Sequence, residues 1–118
     1  MTLAAEASAL LGLTLTPEQE ARFDVYAREL AAWNAHTNLT AITEAEAVRV
    51  RHFLDSLTVL NAVPLFPGMK VIDVGTGAGF PGLALKIAAP EIELALLEAT
   101  GKKVAFLDHL VTLFNLTA

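Results

Sequence analysis

Between Val71 and Gly82 the chain reads Val-Ile-Asp-Val-Gly-Thr-Gly-Ala-Gly-Phe-Pro-Gly, an apolar run that passes directly into a loop with glycine at almost every second position. Val71 to Val74, rich in β-branched residues, reads as a short buried strand. Glycines permit positive φ and let a ligand approach the backbone, and the amides of a following helix point into the crevice above the strand end. Pro81 suits the first turn of a helix carrying Leu83, Leu85 and Ile87, which Pro90 ends. Leu94 to Leu97 forms a second apolar strand closed by Glu98. Thr100 then caps a last helix, with Val104, Leu107, Val111 and Phe114 on one stripe and Phe106, Leu110 and Leu113 broadening it. Strand, helix, strand and helix in this order form the repeating unit of a parallel α/β sheet.

The chain before this unit reads as helical. Leu3 to Leu11 combines Ala, Leu and Glu and stops at Gly12. Thr16-Pro17-Glu18-Gln19 is a helix start, with Thr16 as N-cap, Pro17 at the first helical position and Gln19 closing a capping box. Phe23, Tyr26, Ala27, Leu30 and Trp33 follow at helical spacing and form a core stripe. The polar run from Asn34 to Thr40 predicts that the helix frays near Asn34 into a loop. Thr43 to Glu46 is a second capping box, and Val48, Leu54, Leu57 and Leu60 carry helix to about Asn61. Within that segment Arg49, Arg51, His52, Asp55 and Ser56 form a polar group. His52 and Asp55, three apart, can share a face and hydrogen-bond. The pair either fixes the helix on the sheet or stands beside a cofactor or RNA. Pro64 and Pro67-Gly68 break the pattern, dividing a helical segment, 1–66, from the α/β unit, 67–118.

Composition narrows the function classes. The 118 residues allow one domain or part of one. A 54% hydrophobic content is high for a small soluble domain and points to apolar surface that needs a partner. No apolar run reaches the ~18 residues of a membrane span, and the first residues lack the basic start of a signal peptide. A cytoplasmic protein is expected. The absence of cysteine excludes disulfides and thiolate chemistry, and His36, His52 and His109 lack metal-ligand spacing, so no metal site is expected. The net charge of −5 argues against a globally basic nucleic-acid binder but leaves room for a local patch.

Two glycine frames overlap in the loop. Gly77, Gly79 and Gly82 match a dinucleotide pattern. The other frame, Asp73 followed by Gly75, Gly77 and Gly79, places an acid two residues before the first glycine. A carboxylate there repels a pyrophosphate but can hold the ammonium of an S-adenosylmethionine tail, so Asp73 favours the methyl donor; the alternative is a carboxylate that only ties down loop amides. Glu98, 23 residues after Gly75, can accept bonds from both hydroxyls of a ribose. Phe80 either covers the cofactor or packs on the sheet. Lys102 and Lys103 either solvate the start of the last helix or contact phosphate.

These motifs, taken together, resemble a known family. Trp33-Asn34 with Asn38-Leu39-Thr40, then Arg51-His52-Phe53-Leu54-Asp55-Ser56-Leu57, then Asp73 through Gly82, then Leu97-Glu98, and finally Lys102-Lys103 with Phe106-Leu107 are similar in order and spacing to the bacterial 16S ribosomal RNA guanine-N7 methyltransferase G family, formerly glucose-inhibited division protein B. The resemblance implies a class I, Rossmann-like methyltransferase fold with a helical N-terminal extension. It implies S-adenosylmethionine as cofactor, N7 of a guanosine in the 530-loop region of 16S rRNA as target, and the rRNA or small ribosomal subunit as partner. It places cofactor contacts at Gly75, Phe80, Glu98, Ala99 and Thr100, beside Asp73, Gly77 and Gly79 from the loop reading. Arg49, Arg51, His52, Asp55, Lys102 and Lys103 are the candidate RNA or structural contacts. No residue is assigned as catalytic. Guanine N7 carries no proton, so transfer needs chiefly proximity and alignment, together worth roughly 7–11 kcal/mol of barrier.

A class I sheet has more strands than the two legible here. The expectation is therefore the first β-α-β-α units of that sheet, with the remaining strands absent, in a portion that is weakly active or inactive alone. Uncovered sheet edges would accompany it. Two rival readings are a noncatalytic fragment that self-associates and half of an NAD-type dinucleotide-binding domain.

Overall fold

A computed structural model describes residues 2–40 and 44–116. Helices α1 (Leu3–Leu11), α2 (Pro17–Thr37) and α3 (Ala45–Ala47) lead into a π-helical segment, Val48–Leu54, which continues as α4 (Asp55–Leu57) and α5 (Val59–Ala62). Then come β1 (Lys70–Val74), α6 (Gly82–Ala88), β2 (Glu93–Leu97) and α7 (Gly101–Leu113). The expected α/β order, a helical segment followed by strand, helix, strand and helix, is the one observed.

Local signals account for the helix starts. The hydroxyl of Thr16 accepts the Gln19 N–H at 3.1 Å while Gln19 Oε1 accepts the Thr16 N–H at 2.8 Å, which closes the expected capping box. Gly12, at φ +64°, ends α1. The fraying expected near Asn34 does not occur, and α2 continues to Thr37. The Thr37 hydroxyl donates back to the Trp33 carbonyl, and Asn38 closes the helix in the left-handed conformation. Asn34 instead uses its side-chain oxygen to accept the Thr40 N–H. Thr43, the expected cap of the next helix, lies outside the described residues.

The segment from Val48 is not the regular helix its apolar positions suggested. Val48 and Phe53 are both buried, yet five residues apart, a spacing that a 3.6-residue helix would turn about 140° apart. Wider i→i+5 bonding brings both to the core. The Asp55 N–H donates to the Val50 carbonyl in that pattern.

Helix α2 organises the packing. Phe23, Tyr26 and Leu30 of the expected stripe are fully buried with Leu57, Leu83, Ile87, Phe106 and Leu110, in a core drawn from the helical segment and the α/β unit alike. Ala27 and Trp33 are partly buried at its margin. Polar side chains of α2 also cap neighbouring helices, whose last carbonyls have no partner within their own helix. Gln19 Nε2 donates to the carbonyls of Ile87 and Ala88, and Arg22 donates to that of Phe114. On α7 the buried stripe is Phe106, Leu107, Leu110 and Phe114, whereas Leu113 is 48% exposed.

Strands β1 and β2 are parallel, pairing Lys70 with Glu93 and running in register to Val74 with Leu97. Leu94 is buried and Leu96 partly so beneath the helices. Ile72, Val74 and Leu97 alternate onto the other face and are 63%, 72% and 50% exposed, so β1 is not the buried strand its apolar run suggested: the helices pack on one face of the sheet, and among the described residues nothing covers the other. No helix among the described residues is long and apolar enough to cross a membrane.

Candidate functional site

The loop after β1 is held against the end of β2. The N–H groups of Gly75 and Thr76 both donate to the Leu97 carbonyl, and those of Gly79 and Phe80 to the Thr76 carbonyl. Gly75, Gly77 and Gly79 have φ of +69°, +61° and +103°. A Cβ at Gly75 or Gly77 would meet nothing within 4 Å, so this side of the loop is open. Gly79 and Gly82 face inward. A Cβ at Gly79 would overlap the Tyr26 hydroxyl, and one at Gly82 would stand 2.7 Å from Asp73 Oδ2 and 2.8 Å from Leu96 Cδ2. The loop thus combines backbone open to a ligand with backbone packed on the core.

Asp73 Oδ2 accepts the N–H of Gly82 at 2.8 Å. The first amide of α6 is committed to this carboxylate, and Pro81 occupies the position just before the helix. Glu98, at the end of β2, accepts the Gly77 N–H through Oε1 at 2.8 Å and the Thr100 N–H through Oε2 at 2.9 Å. The Thr100 bond, then the Gly77 bond, hold its carboxyl below the usual range, with the Thr100 hydroxyl and the Lys103 charge acting in the same direction. Two oxygens offer about four acceptor positions, so Glu98 can hold both amides and still accept hydroxyl groups of a ligand. Thr100 stands at the N-cap of α7 as expected, but its side chain makes no capping bond there.

Phe80 is partly buried against the aromatic core. Its ring is stacked on that of Tyr26, with centroids 5.1 Å apart and planes 8° apart, and on the imidazole of His52 at 4.3 Å and 3°. The Tyr26 hydroxyl donates to the Ala78 carbonyl at 2.5 Å. Burial, then the charge of Asp73, raises the Tyr26 pKa well above the ordinary phenol value. The hydroxyl therefore stays a donor.

The anticipated pairing of His52 with Asp55 is replaced by another. His52 Nε2 and Thr40 Oγ1 share a hydrogen bond at 2.9 Å, while Asp55 is exposed. The π-helical turn directs the imidazole toward Phe80. Burial pushes the His52 pKa down, and the Asp55 carboxylate opposes this only as a charge. Of the arginines, Arg49 forms a charge-assisted hydrogen bond with buried Glu6 of α1 and a second ion pair with Glu46 at 3.5 Å. Arg51 is exposed, as are Ala99, Thr100 and Lys102; Lys103 is partly buried on the first turn of α7.

Two residues of the site were missed in the sequence. Tyr26 reads there only as a core position, although a tyrosine in a stripe of Phe and Leu brings a hydroxyl that needs a partner. Thr76 is 3% exposed, and its Oγ1 is buried without a hydrogen-bond partner. No cluster of three or more His, Asp or Glu residues that could hold a metal exists among the described residues.

A family model for rRNA small subunit methyltransferase G matches residues 19–118. Relatives bearing the name ribosomal RNA small subunit methyltransferase G include a protein of Roseiflexus sp. (strain RS-1), 50% identical over 105 residues that cover 89% of this chain and 44% of the relative. One from Caldanaerobacter subterraneus subsp. tengcongensis is 54% identical over 100 residues, covering 85% of this chain and 42% of the relative. One from Moorella thermoacetica is 50% identical over 105 residues, covering 89% and 44%. The chain spans less than half the length of these curated relatives.

Proposed function

The chain belongs to the rRNA small subunit methyltransferase G family, and from that premise we propose that it is the N-terminal portion of an S-adenosylmethionine-dependent enzyme that methylates N7 of a guanosine in the 530-loop region of 16S rRNA. Residues 1–66 serve as a helical platform and 67–118 as the first part of the cofactor-binding domain. The substrate is the rRNA or the small ribosomal subunit, which places the protein in the cytoplasm.

The observation that carries this reading is the position of Glu98, whose carboxylate reaches across to Gly77 beside the open backbone of Gly75 and Gly77. The residues fit the methyl donor. Glu98 would accept ribose hydroxyls, Ala99 and Thr100 would border the adenine, and Asp73 would favour the ammonium group over a pyrophosphate. The buried, unpartnered hydroxyl of Thr76 leaves the loop a further polar group to offer. When bound, S-adenosylmethionine supplies an electrophilic methyl group. The chain's contribution is to bind and orient, because guanine N7 has no proton to remove and positioning lowers the barrier. Exposed Arg51 and Lys102 are available to phosphate.

Titration calorimetry tests the cofactor reading. S-adenosylhomocysteine is expected to bind and NAD is not; the reverse would overturn the proposal. Methyl transfer from a tritiated donor to 16S rRNA, followed by digestion to nucleosides, tests the target. Label in 7-methylguanosine is expected from a full-length relative, with little or none from the 118-residue chain.

A further inference from the structure

We infer that Tyr26 is a positioning residue for the glycine loop, fixing Ala78, Gly79 and Phe80 from the helical segment through its hydroxyl and its ring. Tyr26 lies on α2 and is fully buried, 52 residues before the carbonyl that accepts its hydroxyl. The loop backbone lies so close to that hydroxyl that Gly79 has no room for a Cβ. The next residue, Phe80, is parallel to the Tyr26 ring and also to His52, which is bonded to Thr40. Consecutive loop residues are thus clamped from two directions. Glu98 holds the Gly77 N–H from the end of β2, and Tyr26 holds the Ala78 carbonyl from α2.

A loop held only by the sheet could rotate its Gly77–Ala78–Gly79 peptides, since glycine resists rotation least. Tyr26 removes that freedom on the side Glu98 does not reach. The helical segment therefore acts on the cofactor loop directly, besides covering the core. This consequence for ligand binding rests on the proposed cofactor role of the loop; the ordering of the loop does not.

The variant Tyr26→Phe keeps the ring and its stacking and removes only the hydroxyl. Amide hydrogen exchange, followed by NMR, reads the loop without any cofactor. The N–H groups of Gly79 and Phe80, which donate to Thr76, should exchange roughly three- to tenfold faster than in the parent, the loss of one buried hydrogen bond, while amides within α7 change less. Affinity for S-adenosylhomocysteine should fall by a similar factor. Phe23→Leu, a core substitution on the same helix, serves as the reference: it should lower stability without singling out the loop. Phe80→Leu, which keeps the hydroxyl bond and removes the ring contact, should also speed exchange at Gly79. Equal acceleration of loop and α7 amides in Tyr26→Phe, or none at either, would overturn the inference. If the parent chain binds no S-adenosylhomocysteine, the cofactor reading fails and the exchange measurement alone decides the role of Tyr26.

Discussion

Glu98 and Gly77, 21 residues apart, are joined by a 2.8 Å hydrogen bond from the Gly77 amide to Oε1, while Oε2 of the same carboxylate accepts the Thr100 amide. One side chain therefore ties the loop after β1 to the turn before α7. Both bonds require an acceptor, and both favour the ionised form.

Glu98→Gln should weaken binding of S-adenosylhomocysteine by on the order of tenfold, because an amide retains one acceptor oxygen and presents a donor where the second is needed. Thermal unfolding should shift down modestly, because the amide side chain cannot accept from both Gly77 and Thr100. The pH dependence follows from the same bonds. The Glu98 pKa is lowered in the folded chain, so its contribution is present above the ordinary carboxylate range and is lost as pH falls through the lower folded value. Urea unfolding of both proteins at neutral and acidic pH checks this: the parent should lose stability on acidification through that range and the variant should lose less, while calorimetric titration at neutral pH reads the affinities. Equal affinities at neutral pH would remove Glu98 from the ligand site.

The parts of this arrangement that depend on neighbours in sequence were legible without a structure. Thr16, Pro17 and Gln19 make their capping box within four residues, and the strand leading into the glycines announces the loop. What was not legible depends on distant contacts. The bond from Tyr26 to Ala78 exists only because α2 crosses the loop, and the π-helical turn at Val48–Leu54 exists because two buried positions five apart must reach one core. The same turn removes His52 from Asp55 and gives it to Thr40 and Phe80. Helical spacing alone could not distinguish those outcomes.

His52 should make stability depend on pH near neutrality. Its pKa is lowered by burial, so between that value and the ordinary ~6.5 the unfolded chain binds more protons than the folded one. Stability contributed by the neutral imidazole is complete above pH ~6.5 and declines as pH falls through this window, with a slope of at most ~1.4 kcal/mol per pH unit for one proton. His52→Phe keeps an aromatic ring against Phe80 and removes the titration. Urea unfolding from pH 8 to pH 5 should show a shallower slope in the variant, with His36 and His109 common to both proteins. Superimposable slopes would show that His52 does not titrate differently on folding.

The inward and open glycines of the loop should respond differently to one methyl group. At Gly79, with φ of +103°, an alanine meets both backbone strain and the Tyr26 hydroxyl, and displacing that hydroxyl leaves the Ala78 carbonyl buried without its donor. Strain and the lost bond together predict about 2–4 kcal/mol of destabilisation for Gly79→Ala. At Gly77 nothing lies within 4 Å of the added Cβ, so Gly77→Ala should cost only the left-handed backbone term, about 1–2 kcal/mol. Its larger effect should fall on S-adenosylhomocysteine binding, because the methyl group enters the open side of the loop. Urea midpoints at unchanged m-value give the stabilities, and calorimetry gives the affinities. A Gly77→Ala variant that loses more stability than Gly79→Ala would reverse the assignment of inward and open faces, and with it the side from which a ligand reaches the loop.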